Sequence, residues 1–158
     1  MSAILRARTL VVLPLMLAAL VVSTFSFTPE AEALTRAQRV ARAMDVVVAQ
    51  KGDAYRYGAA GPSRFDCSGL VYYSFRRAGF TNVPRTSGQQ ARFATRIPKS
   101  SMRRGDLMFF YDGGGVYHVG VFAGRRNGRV FMVHAPYGGR TVHRSATWTN
   151  RWFAGTFR

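Results

Sequence analysis

The sequence is short of cysteine and of acidic residues. A single thiol, Cys67, in 158 residues excludes an internal disulfide framework and any cysteine-built zinc module. Seven Asp and Glu stand against 23 Lys and Arg, a formal net charge of +16. Such a surface attracts polyanions. The basic residues nevertheless form no Lys/Arg block and no aromatic-interleaved patch, so no nucleic-acid partner is expected. Internal repeats, low-complexity tracts and a dividing linker are also missing. What is present is enough for one packed core, since 47% of the residues are hydrophobic and 19% charged.

The only sustained apolar run, Leu10 to Val22, follows Arg6 and Arg8 and precedes a polar stretch ending in Ala31-Glu32-Ala33. A positive start, a short apolar middle and a small-x-small end predict a secretory signal peptide over 1–33, cut after Ala33. An uncleaved anchor is the competing reading, although the run is short for a membrane span and Pro14 interrupts it. The segment carries two arginines and two glutamates, so residues 34–158 keep the whole positive charge.

Within 34–158, Ala37, Val40, Ala41, Met44, Val47 and Val48 recur at helical spacing and predict a helix from Thr35 to Gln50. Lys51 to Phe65 is rich in Gly, Pro and Ser and reads as a loop. A second helix is expected from Cys67 to Gly79, and a short one after the turn at Pro84–Ser87. Beyond Gly105 the hydrophobic period becomes two. Strands are expected over 106–111, 116–123, 129–135, 140–144 and 152–157. Helices first and strands second predict an α+β fold, with N-terminal helices packed on an antiparallel sheet.

Three residues carry the chemistry: Cys67, His118 and His134. Cys67 falls in the first turn of the second helix, on the stripe shared by Leu70, Val71 and Phe75. The macrodipole there favours a thiolate and predicts a lowered thiol pKa, although a lone cysteine also serves as a small buried hydrophobe. A two-residue Asn127-Gly128 turn pairs His134 with Val121 and sends the two imidazoles to opposite faces. The histidines meet only if the hairpin has a longer loop or a bulge. If they meet, His118 takes the thiol proton and returns it to the departing amine, while His134 orients His118. The backbone N–H of Cys67 and the hydroxyl of Tyr55 are candidate oxyanion donors. Asp66 and Ser68 are candidate helix N-caps. Asp106, after Gly105, reads as a structural turn residue.

The series Tyr55-Arg56-Tyr57-Gly58, Phe65-Asp66-Cys67-Ser68-Gly69-Leu70-Val71, Pro84-Arg85-Thr86-Ser87, Arg104-Gly105-Asp106-Leu107, His118-Val119-Gly120-Val121 and His134-Ala135-Pro136 resembles, in order, the NlpC/P60 family of cell-wall cysteine peptidases. The resemblance implies a papain-like fold and a Cys-His-His triad at Cys67, His118 and His134. It further implies an oxyanion-supporting Tyr55, and Asp66 and Ser68 binding the free amine of a stem peptide. It implies bacterial peptidoglycan as substrate, cut between D-γ-glutamyl and the next diamino acid, with no metal or organic cofactor. Ala59-Ala60 depart from the family's frequent second glycine.

A secreted, wall-associated monomer acting on peptidoglycan is therefore expected, with its positive charge adhering to anionic wall polymers. Two other readings stay open. The same triad would serve another amide or acyl transfer, and a basic wall-binding protein would need no catalysis at all.

Overall fold

A computed structural model describes residues 34–157, so the expected signal peptide lies outside the described residues. Helix α1, Arg36–Ala49, is closed at its start by a capping box in which Thr35 and Gln38 satisfy each other's backbone N–H groups. It buries Val40, Ala43, Met44 and Val47, whereas Ala37 and Ala41 are exposed. The buried stripe is thus rotated from the expected one, with Ala43 joining Leu70, Val71 and Phe75 in one core. The segment expected as a plain loop contains a short parallel pair, β1 (Ala54–Tyr55) and β2 (Arg64–Phe65).

Helix α2, Cys67–Arg77, is capped by Asp66 and stops before Gly79, whose φ of 94° suits a residue without a Cβ. Helix α3, Ser87–Phe93, starts with a second capping box, Thr86 with Gln89. Next come β3 (Thr95–Ile97), β4 (Leu107–Asp112), β5 (Gly115–Arg126), β6 (Arg129–His134), β7 (His143–Ala146) and β8 (Trp152–Thr156). They form one antiparallel sheet in the order β3-β8-β4-β5-β6-β7. The α+β expectation holds. β3 was not expected, since three residues with two exposed side chains carry no alternation to read.

One face of the sheet, through Leu107, Phe109, Val119, Val121 and Val133, packs on Met44, Val47, Leu70, Val71 and Phe75 of the helices. The other face buries Met108, Phe110, Phe122, Met132 and Trp152. Asp106 is fully buried and structural: it accepts from the Arg103 N–H and the Thr156 hydroxyl, each at 2.6 Å.

The β5–β6 hairpin turns at Asn127-Gly128, both with positive φ, as a two-residue turn requires. Near the tip, Arg126 faces Arg129 and Gly124 faces Phe131. The register then shifts between Phe122 and Gly124, so that Val121 faces Val133 rather than His134. A one-residue bulge at Ala123 therefore puts His134 on the face that carries His118. Of the two conditions for the histidines to meet, the chain uses the bulge.

Candidate active site

Asp66 organises the entrance to α2. One carboxylate oxygen, Oδ1, accepts from the Gly69 N–H at 2.6 Å and the Ser68 hydroxyl at 3.1 Å; the other, Oδ2, accepts from the Gly58 N–H at 2.9 Å. Arg85 grips the same carboxylate with both terminal nitrogens, at 2.7 and 3.1 Å, and also donates to the Ser68 hydroxyl. Burial pushes the Asp66 pKa up, but the hydrogen bonds from Arg85, Gly69 and Ser68 outweigh it and hold the carboxyl below its ordinary value. Asp66 is therefore an ionised cap. Ser68 caps nothing; its hydroxyl completes the Asp66–Arg85 network. Gln90, fully buried on α3, ties this region together by donating to the carbonyls of Ser68 and Pro84 at 2.9 Å each.

Cys67 follows the cap and is partly buried. Its sulfur faces the start of β5, where the Val119 N–H, with those of Ser68 and Cys67 itself, favours the thiolate. Burial outweighs these donors and the nearby Asp66 charge adds to it, so the thiol pKa is raised. This overturns the lowering expected from the helix terminus: desolvating a thiolate costs more here than the N–H groups return.

His118 and His134 come together. His118 Nε2 lies 2.8 Å from His134 Nδ1, with the rings nearly perpendicular at 86°. His134 Nε2 lies 2.9 Å from the Ser145 hydroxyl. Burial pushes His118 down to about 4, and burial aided by the charges of His118, His143 and Arg140 pushes His134 to about 3. Both rings are neutral at physiological pH. With Nε2 of His118 engaged by His134, Nδ1 is the nitrogen left for a proton from the thiol. Accepting that proton requires Nε2–H on His118, a lone pair on His134 Nδ1, and Nε2–H on His134 donated to Ser145. One run of hydrogen bonds fixes both tautomers.

Several residues at this site were not anticipated. His143 pairs with His134 across β6 and β7, its ring centroid 5.2 Å away. The Trp148 ring stacks at 27° to His134 and at 13° to Phe110, covering the two imidazoles. Arg85 had a visible signal in its motif, whereas Ser145 and Trp148 lie after Gly138-Gly139 in a stretch without periodicity. Tyr55 lies beside the thiol. Burial raises its pKa and the negative charges that Cys67 and Asp66 carry when ionised add to this, so the hydroxyl stays a donor. Cys67, His118, His134 and Tyr55 line one cavity of about 610 Å³, while Asp66, Ser68 and Arg85 line a second of about 490 Å³ that shares Cys67 and Tyr55.

The NlpC/P60 family profile matches residues 52–157. The chain is 47% identical over 92 residues to "Probable endopeptidase p60" of Listeria monocytogenes, covering 57% of this chain and 18% of that protein. It is 36% identical over 107 residues to "Probable endopeptidase Cgl2188" of Corynebacterium glutamicum, covering 68% of this chain and 48% of that one. The chain thus spans less than half the length of these relatives. Among solved structures, RipB, a peptidoglycan hydrolase of Mycobacterium tuberculosis, superposes with a TM-score of 0.65 at 30% identity, covering 77% of this chain and 67% of that one. RipD from the same organism, described as a non-catalytic NlpC/p60 domain protein adapted to peptidoglycan binding, superposes at 0.63 with 24% identity, covering 77% of this chain and 98% of that one, a likeness of fold alone. The capped cysteine, the paired histidines and the matched length together place this chain in the NlpC/P60 family.

Proposed function

We propose that the protein is a cysteine peptidase of the bacterial cell wall that hydrolyses a stem-peptide bond of peptidoglycan, of the D-γ-glutamyl–diamino acid type. The observation that carries this reading is the convergence of Cys67 with the hydrogen-bonded pair His118 and His134 in one cavity. The description of RipB as a peptidoglycan hydrolase supports the substrate, and the endopeptidase names of the relatives support an internal cut. The pattern of residues 1–33 supports export, and the +16 charge supports adhesion to anionic wall polymers, which added salt weakens.

The resting pair is neutral, thiol beside imidazole. As sulfur attacks the scissile carbonyl, His118 Nδ1 takes the thiol proton, so thiolate and imidazolium appear together in the transition state. The Cys67 N–H and the Tyr55 hydroxyl are aimed at the oxyanion. Collapse of the tetrahedral adduct breaks the C–N bond, and the His118 imidazolium gives its proton to the departing amine. His118 then draws a proton from water as it attacks the thioester, and returns that proton to the sulfur as the C–S bond breaks, releasing the acid and the free thiol.

Digestion of purified peptidoglycan, with fragments identified by mass spectrometry, tests the proposal. New amino termini at the diamino acid are expected from the wild type and none from folded Cys67→Ala. Undiminished hydrolysis by that variant overturns it.

A further inference from the structure

While the thiol proton is in transit, His118 carries a positive charge in a buried place. Burial opposes that charge and already holds the ring down to about 4. In a Ser-His-Asp triad a buried carboxylate stabilises the corresponding cation. Here, among the described residues, no carboxylate lines the cavity of the two histidines. Asp66 lies on the second cavity and is neutralised by Arg85. Arg140 on the loop after β6 and His143 on β7 share the wall with His134, and their charges work against a further cation. Ser145, beyond His134, supplies a hydroxyl and no net charge.

Aromatic faces surround the imidazoles instead. The Trp148 ring centroid lies 5.5 Å from that of His118 and 5.6 Å from that of His134, inclined at 60° to the first and 27° to the second. Phe110 stands 5.8 Å from His118. Although Trp148 is half exposed, its indole is held in place. It stacks on the fully buried Phe110 with centroids 4.5 Å apart, and strand pairing sets Phe110 opposite His118. The face of an indole is electron-rich. It attracts a cation within about 6 Å of its centroid, more strongly where water is excluded.

We propose that Trp148 stabilises the imidazolium that His118 becomes during proton transfer, its π face taking the electrostatic place of a triad carboxylate. The inference rests on the peptidase reading of the same site and adds a residue to it. Trp148 acts through His118 and is therefore a positioning residue for the reaction. The neutral rings of the resting protein need only the shape of the indole, whereas the charged ring needs its electron density.

Fluorination separates these two needs, since it withdraws electron density from the ring face and nearly preserves its outline. In the full-length protein, position 148 alone is replaced by tryptophans carrying one to four fluorines, and cleavage of soluble muropeptides prepared from purified peptidoglycan is followed. The kcat is expected to fall stepwise with each fluorine, to about a tenth with four, while KM stays constant. Trp148→Leu keeps an apolar cover without a π face and should lose as much as the tetrafluoro protein. Trp148→Phe, with a weaker face, should fall between, and circular dichroism confirms that both variants fold. A kcat insensitive to fluorination overturns the inference and leaves the peptidase reading standing, as does a loss confined to KM, which would make the indole a substrate contact. Failure of the protein with natural tryptophan to cleave the muropeptides removes the peptidase reading, and the inference with it.

Discussion

His118 and His134 are 16 residues apart in sequence and 2.8 Å apart at their ring nitrogens. A single extra residue in β5 makes that distance possible. Without the bulge beside Phe122, the Asn127-Gly128 turn places the second imidazole on the opposite side of the sheet. The pairing is therefore a property of the strand register as much as of the two side chains.

Ser145 is expected to control the pair at one remove. The proposed proton transfer requires the Ser145 hydroxyl, 2.9 Å from His134 Nε2, to accept that nitrogen's proton, which leaves the lone pair of His134 Nδ1 facing His118. Ser145→Ala should lower kcat by about tenfold, the cost of one lost hydrogen bond in the chain. Ser145→Thr keeps an acceptor and should recover most of the rate. Nitrogen NMR of the histidine rings should show His134 losing its single tautomer in the alanine variant alone. An unchanged tautomer would reduce Ser145 to a packing residue.

The thiol should resemble an ordinary buried cysteine until substrate arrives. Burial raises the Cys67 pKa while His118 sits at about 4, so proton transfer between them is unfavourable at rest. Alkylation by iodoacetamide should climb steadily toward alkaline pH, with no reactive plateau in mildly acidic buffer. A plateau would mean a preformed thiolate–imidazolium pair. This expectation reverses the one drawn from helix position alone.

Both the success and the failure of the sequence reading have local causes. Helix α1 was legible from the helical spacing of Val40, Met44 and Val47, α2 from Asp66 and the stripe of Leu70, Val71 and Phe75, and α3 from the turn before it, whereas β4, β5, β6 and β8 were legible as short apolar and aromatic runs between turns, although their burial does not alternate. Cys67, His118 and His134 were legible as a set only in the context of their motifs. The Cys67 pKa was not, since desolvation depends on what packs around the sulfur. His143, Ser145 and Trp148 escaped for a related reason. They reach the site by pairing β7 with β6 and by stacking Trp148 on His134, contacts between segments that sequence spacing does not encode.

Stability should fall on mild acidification. The ordinary histidine pKa of 6.5 drops to about 4 at His118 and about 3 at His134 in the folded protein. Between pH 6.5 and 4 the unfolded chain therefore binds protons that the folded one does not. Their contribution is present above pH 6.5 and is lost as pH falls through that window. Asp66, whose ordinary value is 3.8, adds its own loss only at lower pH. Urea midpoints measured across this range should decline with acidity, and His134→Gln should flatten the decline. A flat wild-type profile would contradict the neutral, buried imidazole pair.

Gly69, two residues beyond Cys67, is required by a backbone contact. A Cβ built on Gly69 would stand 2.0 Å from the Ala59 carbonyl oxygen, which already accepts from the Asp66 N–H at 2.9 Å. Neither the first turn of α2 nor the loop carbonyl is a flexible side-chain tip, so neither yields cheaply. Gly69→Ala should cost about 2–3 kcal/mol of stability, at the upper end for overpacking. It should also lower kcat, because relieving the clash moves the turn that carries Cys67 away from His118. Gly113→Ala is the control: a Cβ there meets nothing within 4 Å, and both stability and turnover should match the wild type. A Gly69→Ala protein with wild-type melting and turnover would show that the loop at Ala59 moves freely and does not fix the position of the sulfur.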